Sequence, residues 1–165
     1  MTERTSEGKG ELRVVRDGVL EQGREEAWRA LITAHAAAVE GIERRLLEAG
    51  LPPLSWYDVL LELSTAAACR LRLHELASAV VLSRSGLSRL VDRLEKAGLL
   101  RREPDPADGR GSFAVLTDEG AGIRERMWPV YATGIAEHFG AYVSDEEAEV
   151  LSRALGRVRA AARAD

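Results

Sequence analysis

The stretch Ser83-Arg-Ser-Gly-Leu-Ser-Arg-Leu-Val-Asp-Arg-Leu-Glu-Lys-Ala-Gly98 decides how the rest of the chain is read. At 100° per residue, Leu87, Leu90, Val91 and Leu94 fall on one side of a helix, while Ser85, Ser88, Arg89, Asp92 and Lys96 fall on the other. Ser83, set between Leu82 and Leu87, predicts an N-cap with a hydrophobic staple, and Gly98 suits the left-handed residue that closes a helix. One face has to pack; the other, rich in serine and cations, has to meet solvent or a partner.

Downstream, Leu99 to Glu103 reads as a strand, Pro104 to Gly111 as a turn-rich tip, and Ser112 to Leu116, with alternating Phe113 and Val115, as the returning strand of a β-hairpin. Upstream, Ser55-Trp-Tyr-Asp58 predicts a capping box, with Leu54 stapled to Val59, for a helix reaching about Ala67. Leu71 to Leu73 offers a short strand, and Glu75 to about Val80 a brief helix. Short helix, turn, longer helix and hairpin is the order of a winged helix-turn-helix, whose second helix fits the DNA major groove. Ser85, Ser88 and Arg89 are then placed to bond base edges or phosphates, and Arg84 lies in the first turn, where a helix favours an anion. At the wing tip, Asp108-Gly-Arg110 presents an arginine suited to a narrow minor groove, with Asp108 orienting its guanidinium. On a single helix such residues usually mean no more than a solvated face; the hairpin and the charge distribution turn the reading toward DNA.

That distribution is uneven. The 165 residues carry a net charge of −4, which taken alone argues against an anionic partner. Residues 70 to 113 hold nine bases against six acids, a surplus of three, whereas the remainder has 14 bases and 21 acids, a deficit of seven. A basic module sits inside an acidic chassis.

Farther out, Trp28, Leu31, Ile32, Val39, Ile42 and Leu46 recur at three- and four-residue steps and predict a long amphipathic helix over about 25–49, stopped by Gly50 and Pro52. Thr117, followed by Asp118 and Glu119, caps another that is expected to reach about Tyr142 with a kink at Pro129. Ser144-Asp-Glu-Glu147 is a capping box for a last helix striped by Val150, Leu151, Leu155 and Val158. Residues 1 to about 11 have nothing to bury, and the segment 1–24 is expected to be a flexible arm, with Leu12 to Leu20 left unassigned. The length fits one domain, 25–165, and no apolar run approaches the roughly 20 residues of a membrane helix. A start without an apolar core or cleavage site, and a single Cys69, point to a cytoplasmic protein without an internal disulfide.

Taken together, Leu76 to Leu99, Asp105-Pro-Ala-Asp-Gly-Arg110 and Leu116-Thr-Asp-Glu-Gly120 make the chain resemble the MarR family of transcription regulators over about Glu25 to Ala161. The resemblance implies a mainly α fold: a winged helix-turn-helix lobe at about 54–117 with a small β-hairpin wing, and dimerisation helices at about 25–49 and 117–163. It implies a homodimer reading a palindromic operator in double-stranded DNA, usually as a repressor, and it matches Arg84, Ser85, Ser88 and Arg89 to the family's reading positions and Arg110 to its minor-groove arginine. His74 stands where the family often has a Ser or Thr cap. Release by a small aromatic or phenolic effector, bound between the dimerisation helices and the lobe, is also implied.

Trp28 and His35, seven residues apart, and Trp56 and Tyr57 lie near where that effector would bind. They read either as ligand contacts or, as aromatic residues at helical spacing more often do, as core or dimer-interface packing. Cys69 reads as a small structural residue or as a redox sensor, although no second cysteine is present to resolve it. His35, His74 and His138 lack paired metal-ligand spacing, so neither a metal nor another cofactor is expected. No nucleophile elbow, phosphate loop or metalloprotease motif is present, and an enzyme is not expected. The competing function is an effector-binding or protein-interaction module that uses the winged fold without operating on DNA.

Overall fold

The apolar stripe Leu87, Leu90, Val91 and Leu94 organises the lobe around it, since each of the four is buried. The computed structural model describes residues 15–16, 19–20, 22–80, 84–106 and 108–162; the expected N-cap Ser83 and its staple partner Leu82 lie outside them. The chain divides into two compact units, 1–37 and 38–165. In the first, β1 (Val15–Arg16) pairs antiparallel with β2 (Val19–Leu20), so part of the expected arm is a hairpin, and α1 (Gln22–Glu48) begins three residues before its expected start. Residues 1–14, which carry most of the expected disorder, are outside the description.

In the second unit the order after α1 is α2 (Leu54–Thr65), β3 (Arg70–Arg72), α3 (Leu73–Ala79), α4 (Arg84–Lys96), β4 (Leu100–Asp105), β5 (Asp108–Leu116), α5 (Asp118–His138) and α6 (Asp145–Ala161). Leu60, Leu63, Leu76, Leu100 and Ala114 from α2, α3, β4 and β5 close over the α4 stripe as one cluster. A second cluster joins Ile42 and Leu46 of α1 to Leu54 and Tyr57 of α2 and Met127 of α5. Burying side chains of this size contributes roughly 1.5–3 kcal/mol each before the entropy of ordering is subtracted.

Several local signals are answered differently from their expectation. Ser55 is not the cap of α2. The helix starts at Leu54 behind Pro53, whose φ of −58° already suits a helix, and the Leu54 amide donates to Glu43 Oε1 of α1 at 3.0 Å. α3 starts at Leu73, because the Arg72 amide at its N-cap donates to Glu75 Oε2 at 2.9 Å; His74 is therefore inside the first turn and not at the cap. Between α2 and β3, Ala68 and Cys69 both take positive φ, 55° and 52°, and Cys69 is exposed, not packed as a small structural residue. α5 ends at His138, short of Tyr142, because Phe139 leaves helical geometry at φ −138°. It remains helical on both sides of Pro129.

Other signals are met. α4 closes on Gly98 (φ +74°), with Gly98 and Leu99 amides donating back to Glu95 and Leu94 carbonyls as in a Schellman end. Thr117 Oγ1 accepts from the Gly120 amide and donates to the Gly98 carbonyl. Gly120 is required there, since a Cβ would sit 2.0 Å from the Leu99 carbonyl oxygen. Ser144 and Glu147 form the reciprocal capping box.

The sheet order is β3-β5-β4, all antiparallel. The wing strands run farther than expected: pairing continues to Asp105↔Asp108. Pro104 is tolerated because β4 is an edge strand, where a missing amide breaks no inner ladder.

Candidate nucleic-acid interface

On α4 the side chains opposite the buried stripe all reach solvent: Ser85, Ser88, Arg89, Asp92, Arg93 and Lys96 are exposed. This is the amphipathic division expected of the sequence. Arg84 opens the same helix, and Asp108 and Arg110 begin β5 at the wing, but the side chains of these three lie outside the description.

Intramolecular pairing decides which cations remain available. Arg102 of β4 spans two carboxylates of α4, Asp92 at 2.6 Å and Glu95 at 2.5 Å, and its own amide donates to Glu95 Oε1 at 3.0 Å. Burial would lower the Arg102 pKa, but these bonds outweigh that and raise it above its ordinary value, so the wing base is tied to the helix by a fixed charge. Arg101 pairs with Glu103 at 2.7 Å, Arg70 approaches Glu103 at 3.9 Å, and Arg72 bonds Asp105 at 2.6 Å. Arg70 and Arg72 also lie over the Phe113 ring, 4.6 and 5.3 Å from its centre. By contrast, Arg89, Arg93 and Lys96 on the outer face of α4 make no ion pair among the described residues. Among the described residues of the lobe, the cations outside any ion pair therefore lie on the outer face of α4.

Neither tie was visible in the sequence. Asp105 sits in a run of Asp, Pro and Gly that reads as solvated turn, and nothing local marks Arg102 as the partner of residues seven and ten positions earlier.

The residues considered for an effector separate. Trp28, 57% exposed, and His35, also exposed, belong to the first unit and are not core. In the second, Tyr57 is buried and its ring contacts those of Tyr131 (4.9 Å) and Trp128 (6.3 Å), while Trp56 packs half-buried against the lobe core. Sequence reasoning missed Asp58 beside them. Partial withdrawal of its carboxyl from water, together with the carboxylates of Glu62 and Glu43, pushes its pKa above the ordinary value, although the residue as a whole stays exposed. Burial first, then Asp58 and Tyr57, likewise raises Tyr131. His138 packs over Gly41, where a Cβ would come within 2.4 Å of its Nε2, and no group of three potential metal ligands occurs among the described residues. None of the described helices is long and apolar enough to cross a membrane.

A family model described as "MarR family" matches residues 49–111, the span from the end of α1 into the wing. Among solved structures, AbsC, a MarR family transcriptional regulator from Streptomyces coelicolor, is 31% identical with a TM-score of 0.78, over 89% of this chain and 99% of that one. Sco3205, a MarR family regulator from the same organism in complex with DNA, is 33% identical with a TM-score of 0.76, over 85% and 88%. The HTH-type transcriptional regulator MhqR of Bacillus subtilis (strain 168) is 33% identical over 86 residues, 52% of this chain and 59% of that protein. The chain spans only about half the length of the curated relatives it matches first, 52% and 59%.

Proposed function

The chain belongs to the MarR family of transcriptional regulators, a family of non-enzymes, and on that premise we propose that it represses transcription by binding a palindromic operator in double-stranded DNA as a homodimer in the cytoplasm. The observation that carries this reading is the outer face of α4, where Ser85, Ser88 and Arg89 stand exposed and Arg89, Arg93 and Lys96 make no ion pair among the described residues, while Arg70, Arg72, Arg101 and Arg102 are engaged elsewhere. In this reading α4, with Arg84, enters the major groove, and Arg110, oriented by Asp108, enters the adjacent minor groove from the wing. The acidic remainder of the chain stays away from the phosphates, so a net charge of −4 is no obstacle. The relative Sco3205 has been crystallised with DNA, which supports the same use of the lobe here.

The homodimer is supported by apolar side chains that this chain leaves uncovered on α6, Val150, Leu151, Leu155 and Val158, and by Trp28, Leu31 and Ile32 of α1. Relief by a small aromatic or phenolic effector belongs to the same proposal. Exposed Trp28 with His35, or half-buried Trp56, offers it a stacking surface, whereas Tyr57 is committed to packing.

A mobility-shift assay on the promoter beside the protein's own gene tests this. Specific binding should weaken with salt in proportion to the phosphates contacted, and Arg89→Ala should reduce discrimination against random DNA by about 1–3 kcal/mol. A protein that binds operator and random DNA alike, or binds neither, is not the regulator proposed.

A further inference from the structure

Asp105 is the only charged residue that is buried among the described residues, at 4% exposure. A carboxylate withdrawn from water is costly unless it is paired, and a hairpin tip is where an aspartate would otherwise stay solvated. Its burial follows from the backbone: the β4–β5 register shifts between Pro104 and Asp105, and an irregularity of this kind re-aims the side chain that follows it. The carboxylate accepts from Arg72 Nε at 2.6 Å.

Arg72 is itself immobilised. It ends β3, pairs in register with Phe113, donates its amide to Glu75, and lays its guanidinium 5.3 Å from the Phe113 ring centre. As the N-cap of α3 an arginine contributes nothing through its side chain, because a guanidinium has only donors and the free amides of a helix start need an acceptor. The guanidinium instead bonds Asp105 through Nε at 2.6 Å, with Nη1 4.0 Å from Glu75 Oε1. Three residues earlier on β4, Arg102 fastens the wing base to Asp92 and Glu95 of α4. The two ties lie roughly 10 Å apart along the strand. A strand held at one point can pivot, and a strand held at two has a fixed direction.

We infer that the Arg72–Asp105 ion pair sets the pitch of the wing relative to the reading helix, which makes both residues positioning residues for the minor-groove contact of the tip. This rests on reading the lobe as a DNA-binding module. With the pair intact, the segment from Asp108 to Arg110 meets the duplex already oriented when α4 is seated. Without it, the wing has to be ordered at the moment of binding.

The test uses Asp105→Asn, Arg72→Gln and the double variant of the full chain. In the free protein, hydrogen exchange of the amides of residues 108–112 should accelerate about tenfold in each single variant, with the thermal midpoint near that of the wild type in Asp105→Asn and lowered in Arg72→Gln, which leaves the buried carboxylate without its cation. On the promoter fragment beside the protein's own gene, affinity should fall about tenfold and the salt slope by about one contact. Protection from hydroxyl-radical cleavage should be lost only at the minor-groove flanks, and the penalties for base substitutions under α4 should be retained. The double variant should be no worse than the worse single one, as for two halves of one unit. Wild-type exchange in both single variants overturns the inference, and so does an even loss of protection accompanied by a lowered midpoint in Asp105→Asn, which marks a merely structural pair. Accelerated exchange in a protein that binds no DNA supports the clamp and defeats the DNA reading instead.

Discussion

α4 and α6 are both amphipathic helices, of 13 and 17 residues, yet of the two only α4 has its apolar stripe covered among the described residues. Its Leu87, Leu90, Val91 and Leu94 are each at most 3% exposed, whereas the corresponding stripe of α6, Val150, Leu151, Leu155 and Val158, is between 37% and 62% exposed and the helix buries no residue. The same sequence pattern therefore has two outcomes. In the lobe it specifies a closed core that positions a polar outer face. In α6 it leaves an apolar surface exposed among the described residues, and in the proposed dimer the counterpart of that surface is a second copy.

The largest effect that would break this contrast is expected at Leu94. Leu94→Ala removes a fully buried side chain and should cost about 2–5 kcal/mol in urea unfolding; a cost well below that would mean the lobe core is not closed. Next in size is the pair Leu151→Ser with Leu155→Ser. Sedimentation across a dilution series should show the dimer dissociation constant rising at least tenfold, while the dissociated chain keeps its stability within about 0.5 kcal/mol. If the double variant instead unfolds as readily as Leu94→Ala with no change in association, α6 is covered by its own chain. The smallest concerns what holds α6 helical without burial. Ser144→Ala removes an N-cap and should cost about 1 kcal/mol, read as helix content by circular dichroism. The Glu147 carboxyl accepts from the Ser144 amide and hydroxyl, which hold its pKa below the usual 4.5. Because the folded pKa is depressed, its contribution is present above pH 4.5 and disappears as the pH falls through the lowered value. The gap between the wild-type and Ser144→Ala helices should thus narrow in acid by the share of the hydroxyl–carboxylate bond, and not close, because the Glu147 amide–Ser144 Oγ bond does not titrate.

Much of the lobe was legible because its signals are local. The 100° division of residues 85–96, Gly98 after the helix, Thr117 before α5 and the Ser144–Glu147 box each depend on residues within a turn or two. The misreadings share an opposite cause. Ser55 lost the cap of α2 to Pro53 and to Glu43, eleven residues from Leu54; Asp105 found Arg72, 33 residues away; and Trp28 stands exposed although its spacing fits a core helix. A helix stripe says that something must cover it and not what, and a carboxylate in a turn gives no sign of a distant guanidinium. The exposed face of α4 could be read from sequence, but which of its cations are free could not, because that depended on where every other arginine was spent.

The Thr117–Gly120 junction has a mechanical consequence. With Thr117 Oγ1 bonded to the Gly98 carbonyl, its amide bonded to the Leu99 carbonyl, and Gly120 pressed against that same carbonyl, the end of α4 and the start of α5 are joined without slack. α5 is then a lever arm of 21 residues, about 32 Å long. A tilt of about 5° at one end displaces the other by roughly 3 Å. In the proposed dimer, two reading helices set about 34 Å apart to enter successive major grooves would lose register through so small a rotation, with neither lobe changing shape.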